Sequence, residues 1–299
     1  MTIDTIDYLK RIVRKYNWIN GVIWFLYSGV MYSVRTLQAW FINFLVISLQ
    51  RLVIKHDIRS LHLTGRQVVL ELTGGAKFYW AVSDRTSLLG LGLTGVWEPQ
   101  ETRCLRTMIR PGQVVIDGGA NYGYYTVLFS KLVGSRGKVH SFEPLVEAYQ
   151  QLRRNILLNG AAENVALNKY ALGEERKRAN IYTTRGWGLG SGTLRQSADI
   201  LMGYCQVITL DDYVSHRKIK RIDFVKLDIE GAELSALKGG FQSLKKFFPT
   251  LMLEVTKDGN RDFGYSSNSL YRFLNESGYL LYFLHRGSLK KLSQSSFSI

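Results

Sequence analysis

Cysteine is scarce in this chain: its 299 residues hold two, Cys104 and Cys205. They lie far apart without partner-like spacing. That excludes a disulfide framework and a cysteine metal site, and makes a reducing compartment the default. There is no internal repeat and no low-complexity linker. No small-x-small site closes an early apolar stretch, so a cleaved signal peptide is not expected. Acids are also in short supply, 24 Asp and Glu against 39 Lys and Arg, a net charge of +15. Such a surface attracts anions: nucleic acid, anionic lipid, phosphorylated or acidic sugars. The plainer reading is a basic, soluble surface. The bases are scattered over 10–15, 176–185, 217–221 and 286–291 and form no block alternating with aromatics, so no nucleic-acid tract is visible. What is abundant is apolar surface, 46% of residues, enough for one large domain with an attached element or for two smaller ones.

Three regions differ in character. Residues 1–56 carry two uncharged runs, Tyr16–Val34 and Thr36–Gln50, separated by Arg35 and flanked by bases. As a helix the first run would be about 28 Å long at 1.5 Å per residue, near a bilayer core, but Asn17, Asn20, Gly21, Ser28, Gly29 and Ser33 interrupt it. The second run puts Leu37, Trp40, Phe41, Phe44, Leu45 and Leu52 at helical spacing. The segment reads as an apolar, basic helical pair. It would lie in a membrane interface, span the bilayer, cover an apolar face of the main domain or form a dimer contact. Residues 57–100 read as a small β-rich element, with runs RSLHLTG, QVVLELTG and KFYWAVS between glycines. From 101 to 299 strands and helices alternate: QVVID, KVHSFEP, NVALNKYAL, DFVKLDIE, TLMLEV and YLLYFLHR as strands, with helices over 122–133, 145–159, 232–246 and SLYRFLNESG. Repeated βαβ units predict an α/β fold, a mainly parallel sheet with helices on both faces.

In such sheets ligands bind at the carboxyl ends of strands. The stretch VVIDGGANYGYYT ends a strand at Asp117 and turns through Gly119 and Asn121 into a helix. A dinucleotide fingerprint requires G-x-G-x-x-G, which DGGANYG does not supply, and an acid at the strand end would repel pyrophosphate. An acid suits a ligand carrying an amine and a sulfonium. Glu143, at the end of the next strand, can accept the two hydroxyls of a ribose. Acid, glycine loop and acid without a phosphate site point to S-adenosylmethionine; a nicotinamide enzyme and a non-catalytic βαβ fold are the alternatives.

A second group of acids sits in FVKLDIEGAE and TLMLEV. If the strand extends that far, alternation would project Lys226, Asp228 and Glu230 together, with Glu254 beside them. Clustered acids are costly unless they bind a cation, meet a substrate or act as a base. Glu230 and Glu233 could instead serve the N-terminus of the next helix. A hydroxyl that attacks a sulfonium methyl loses its proton, which gives Asp228 and Glu230 a role as base. His140 and His216 are weaker candidates, His140 reading as core. Oxygen ligands would also suit Mg²⁺ at the acids, although no metal ligand set is assigned. GWGLGSGTL (186–194) reads as a flap or a plain surface loop.

At these residues the sequence resembles the FkbM-type S-adenosylmethionine-dependent methyltransferases. The resemblance is carried by GVWEPQE (95–101), VVIDGGANYGYYT (114–126), HSFEP (140–144), NILLN (155–159), ALG (171–173), GSGTL (190–194), ITLDDYV (208–214), VKLDIEGAELSALKGG (225–240) and LMLEV (251–255). It spans about half the chain. It implies a class I methyltransferase fold, Rossmann-like, and methyl transfer most often to oxygen, with sugars, glycolipids and polyketides among the acceptors. By position it assigns Asp117, Gly119, Asn121 and Glu143 to the cofactor, and Asp228 and Glu230 to the transfer site with Glu98 and Glu254 as neighbours. Many class I enzymes hold the adenine amine with an acid after the third strand; here NKYALG leaves backbone, Asn168 or Tyr170.

The leading expectation is O-methylation of a hydroxyl on a sugar, glycolipid or related small molecule. It would take place in the cytoplasm, at the inner face of a membrane if 1–56 docks there. The basic surface keeps an RNA methyltransferase as the alternative, against which stand the missing Asn/Asp-Pro-Pro-aromatic and Pro-Cys motifs, so no specific nucleic-acid partner is expected. A catalytically inactive membrane-docking module is the third reading.

Overall fold

The computed structural model describes residues 58–64, 67–80, 91, 95–183, 194, 200–255 and 263–292. The apolar segment 1–56 and the 186–194 loop short of its last residue fall outside these. The first described runs form an antiparallel meander of β1 (Ile58–Thr64), β2 (Gln67–Leu72) and β3 (Lys77–Trp80). Helix α1 (Pro99–Met108) follows, with proline in its first turn where the missing N–H costs nothing.

Next come β4 (Val114–Gly118), α2 (Tyr124–Val133), β5 (Lys138–Phe142), α3 (Val146–Leu158) and β6 (Val165–Asn168). A second small sheet holds β7 (Ala171–Leu172), β8 (Lys177–Thr183) and β9 (Ile200–Ile208). The chain continues through α4 (Leu210–His216), β10 (Phe224–Leu227), α5 (Glu233–Gly239), α6 (Phe241–Phe247), β11 (Thr250–Leu253) and α7 (Ser267–Glu276). It closes the described part with a hairpin, β12 (Tyr282–His285) and β13 (Ser288–Lys291).

The central sheet has the order β11-β10-β4-β5-β6, and each neighbouring pair is parallel. Strand order runs outward from β4 through β5 to β6, then jumps back to set β10 on the other side of β4. That reversal opens a crevice at the carboxyl ends, where ligands of such sheets bind. The strands alternate apolar residues toward both faces. Val115 and Phe224 join a core with α1, α2, α3 and the meander; Ile116 and Val225 join a second core with α4 to α7. The fold is the α/β, Rossmann-like architecture that the sequence leads one to expect, a parallel sheet with helices on both faces.

Four expectations need correction. NVALNKYAL is not one strand: it breaks at Lys169 and Tyr170, and β7 leaves for the second sheet. The antiparallel β8–β9 pair was not foreseen, because its strands are half exposed and lack a continuous apolar run. YLLYFLHR contributes a hairpin strand outside the parallel sheet. The helix expected over 232–246 is two helices broken at Gly240. The preceding Gly239 is needed for contact: a Cβ there would sit 1.9 Å from the carbonyl oxygen of Gly173.

The meander shares its core with the larger part. Leu70, Leu72 and Phe78 pack with Leu105, Phe129 and Leu152. The two asparagines of NILLN explain the attachment. Asn155 accepts the Tyr79 N–H at 3.0 Å and donates to Tyr122 O at 2.8 Å. Asn159 accepts from Lys77 N at 2.8 Å and donates to Lys77 O at 2.6 Å. One turn apart on α3, they share a face and supply the edge of β3 with the partners a further strand would give. Asn155 is fully buried, so Asn155→Ala leaves buried backbone groups unpaired. A loss of about 2–3 kcal/mol is expected in urea unfolding.

Candidate active site

The residues at the carboxyl edge fall into two linked groups. The first is the loop after β4. Gly119 and Asn121 both have positive φ, 77° and 50°. Asparagine tolerates that left-handed conformation better than most residues, which accounts for Asn121 where a second glycine is usual. Gly119 has no substitute: a Cβ would lie 1.8 Å from the Asp228 carbonyl oxygen, because the chains leaving β4 and β10 pass in contact. The loop's N–H groups are largely engaged. Those of Gly119 and Ala120 both reach Phe142 O at 3.0 Å. The Asn121 N–H donates to Glu143 Oε2 at 2.8 Å. Glu143 Oε1 accepts the Leu145 N–H at 2.9 Å. Glu143 thus ties the ends of β4 and β5 together, and burial pushes its carboxyl up to about 7 against those two bonds. The side-chain oxygen of Asn121 is buried without a partner, and α2 begins without a side-chain cap; Asn121 does not cap it.

The second group is built around Lys226. A lysine in the buried strand FVKL is anomalous, and the register explains it. Lys226, Asp117 and Ser141 are lateral neighbours across β10, β4 and β5, so their side chains share a face. Lys226 Nζ donates to Asp228 Oδ2 at 2.8 Å and lies 4.5 Å from the centre of the Tyr125 ring. Asp117 is fully buried. Its Oδ2 accepts from Thr126 Oγ1 at 2.5 Å, and Thr126 in turn accepts from Ser141 Oγ at 3.1 Å. Asp117 Oδ1 is buried and unpartnered. Burial pushes the Asp117 carboxyl up, opposed by Lys226 and the Thr126 bond.

For Asp228 burial also works against charge, but Lys226 and a hydrogen bond shared with Glu254 prevail and hold its carboxyl below the usual range. Glu254, just past β11, is raised by that same bond and by burial, with the charges of Asp228, Glu230 and Glu98 adding to the effect. The pair therefore holds one proton, on Glu254. Glu98, at the start of α1, accepts from the Tyr125 hydroxyl at 2.5 Å and is raised mainly by burial.

Glu230 does not reach this group by strand alternation as expected. β10 ends at Leu227, and Glu230 sits in a turn with φ 56°; its charge still acts on Glu254. Glu233 serves that turn: its Oε1 accepts from the N–H groups of Ile229 and Gly231, both at 3.1 Å. Asn168, at the end of β6, donates its amide to Ser141 O and Ala166 O at 3.0 and 3.1 Å, which leaves its carbonyl oxygen for a ligand. Tyr170 packs half-buried on the second core. His140 is buried against the Tyr213 hydroxyl at 2.8 Å and burial pushes it down to about 4, so it is neutral core, as expected. His216 ends α4, which leads to the amino end of β10, away from this edge. Among the described residues no group of three or more acids, histidines or cysteines is arranged to hold a metal ion; the acids face Lys226 and one another, and Mg²⁺, for which the sequence assigned no ligand set, finds no support there. Tyr125 and Thr126 were missed as site residues, and Lys226 was grouped with the acids but given no role. A charged residue inside an apolar strand was the signal for Lys226; nothing in the sequence marked the other two.

Residues 117–281 match a family model described as the methyltransferase FkbM domain. Among curated proteins the chain is 27% identical over 153 residues to the 2-O-methyltransferase NoeI of Sinorhizobium fredii, covering 46% of this chain and 61% of the relative. It is 28% identical over 160 residues to the 31-O-demethyl-FK506 methyltransferase FkbM of Streptomyces tacrolimicus, covering 44% and 60%. Among solved structures, an O-methyltransferase from Bacillus cereus in complex with SAH aligns at a TM-score of 0.38 and 13% identity, over 66% of this chain and 79% of that one. The chain spans about six tenths of the length of the curated relatives it matches.

Proposed function

This chain belongs to the methyltransferase FkbM domain family, and from that premise we propose that it transfers a methyl group from S-adenosylmethionine to a hydroxyl oxygen of a sugar, glycolipid or related metabolite. The observation that carries the reading is the meeting, at one sheet edge, of a loop rich in hydrogen-bond acceptors and a proton-sharing carboxylate pair. The loop suits this cofactor. Its N–H groups at 119–121 are bonded within the protein, so no phosphate cradle is open there. It offers instead the unpartnered oxygens of Asp117 and Asn121. Glu143 accepts one N–H on each oxygen and keeps lone pairs for ribose hydroxyls. Asn168 has a carbonyl oxygen left for an adenine amine, with Tyr170 nearby in sequence. When bound, the cofactor supplies a methyl group on a cationic sulfur.

The chain's own part is to position and deprotonate the acceptor. Lys226 keeps Asp228 ionised, so Asp228 is the proton acceptor for the hydroxyl. Glu254 shares its proton with Asp228 and stops the edge from carrying two adjacent charges. Glu230 borders the same edge. The names of NoeI and of the Streptomyces protein specify methylation at oxygen, which supports the same choice here.

The test is transfer of labelled methyl from S-adenosylmethionine to oligosaccharide and glycolipid hydroxyls, with S-adenosylhomocysteine binding read by calorimetry. Absence of both would sink the reading. Glu143 gives a pH signature. Its ionised form accepts ribose hydroxyls best, and that form grows as pH rises through about 7. Cofactor affinity should therefore climb from pH 6 to 8. Glu143→Gln should flatten the climb and weaken binding about 10- to 100-fold, the worth of hydrogen bonds to a charged acceptor. In the free protein the sign is opposite. The unfolded chain ionises Glu143 first, near 4.5, so this residue subtracts stability between there and about 7.

A further inference from the structure

Between the β7–β9–β8 sheet and the first half of α5 lies a cavity of about 820 Å³. None of Asp117, Gly119, Asn121 or Glu143 lines it, so it is separate from the cofactor loop. None of Lys226, Asp228, Glu230 or Glu254 lines it either, but one wall adjoins the turn that follows Asp228. Ala232, Leu234 and Tyr265 line it, and the Tyr265 hydroxyl donates to Gly231 O and accepts the Leu234 N–H at 3.2 Å. Tyr265 thereby clamps the turn that carries Glu230 and follows Asp228.

We propose that this cleft binds the acceptor, and that the part bound there is an uncharged, hydroxyl-bearing ring, a neutral sugar; this rests on the methyl transfer proposed above. The floor is apolar, with Leu172, Ala179 and Val207. The walls add tyrosine rings, which pack on the C–H faces of a sugar, and fixed polar groups. Asn180 Nδ2 donates to the Tyr182 hydroxyl at 3.0 Å, which leaves the Asn180 carbonyl oxygen and the Tyr182 proton for a ligand.

The charges of the rim nearly cancel, two acids standing against two lysines with Arg178 left over. Lys238 lies 3.4 Å from Glu174, and Lys177 lies 3.0 Å from Glu175. Arg178 is laid over the Tyr204 ring, 3.4 Å from its centre. Both lysines are matched, so a phosphate entering the cleft would meet acids as well as bases. The chain's charge of +15 is thus not focused here.

The full chain is titrated with cellotriose, chitotriose and glucose 6-phosphate by saturation-transfer NMR, and with S-adenosylhomocysteine by calorimetry. A neutral trisaccharide should bind. Ala179→Trp, which fills the floor, should weaken it tenfold or more, and Asn180→Ala several-fold, with S-adenosylhomocysteine affinity within twofold of the parent. If the tryptophan variant does not fold, Asn180→Ala, at an exposed position on β8, decides. No signal from either neutral sugar, unchanged sugar binding in the variants, or tighter binding of glucose 6-phosphate overturns the proposal. Failure of the methyl-donor reading appears separately, as no heat with S-adenosylhomocysteine, while the sugar titrations still report on the cleft.

Discussion

Asp228→Asn is expected to lower methyl transfer about 10²- to 10⁴-fold, the usual contribution of a positioned base, while S-adenosylhomocysteine affinity stays within about twofold. The asparagine keeps the shape and can still accept the Lys226 bond, so loss of rate would report the missing charge. A residual activity with its own pH dependence should remain. With the anion gone, Glu254 loses the hydrogen bond that raises it most and ionises at lower pH. It can then take the acceptor's proton from a poorer position. Asp228→Asn combined with Glu254→Gln should remove that residue of activity, and the two effects should not add, as for groups that act as a unit. Single-turnover rates across pH 5 to 9 make the comparison. Full activity in Asp228→Asn would reject it as the base.

The legible parts of this molecule are those where one local rule dominates. The parallel sheet could be read from βαβ alternation, and the cofactor edge from acids that end two strands, Asp117 and Glu143. Asn121 stands where a second glycine is usual, and the reason is a φ of 50° and a buried oxygen, which only three dimensions supply. Glu230 was misplaced because alternation was carried past Leu227, and the turn held by Glu233 and Tyr265 depends on a residue thirty-odd positions away. The β8–β9 sheet was missed for a related reason: its strands bury one face only in part, so no apolar period marks them. NILLN read as helix and as a family segment, but what its asparagines do stayed hidden, because the strand they hold lies far off in sequence.

Lys226→Met should destabilise the fold by about 3–5 kcal/mol, because it breaks a buried ion pair from one side. The Lys226 side chain is 5% exposed and Asp228 29%, so water reaches Asp228 in part, while Asp117, fully buried and also held by the Lys226 charge, is left uncompensated. Methionine keeps the stem that packs on Tyr125, which confines the change to charge. This pair's contribution to the pH dependence should reverse. In the parent, the Asp228 carboxyl lies below its usual range, so its stabilisation is full above the unfolded value, near 3.8, and is lost as acid protonates it. In the variant, Asp117 and Asp228 are both raised by burial and by each other. The unfolded chain then ionises them first, so stability falls as pH rises from about 4. The parent already loses stability from pH 5 to 8 through Glu143, Glu233 and Glu254, so the reading is the difference in urea midpoint between variant and parent, which should widen from pH 5 to pH 8; a parent-like midpoint at both would refute the role given to Lys226. A companion, Lys226→Met with Asp228→Leu, removes both charges and should recover much of the stability but none of the methyl transfer. That outcome would identify the pair as a feature of the site kept at some cost to the fold.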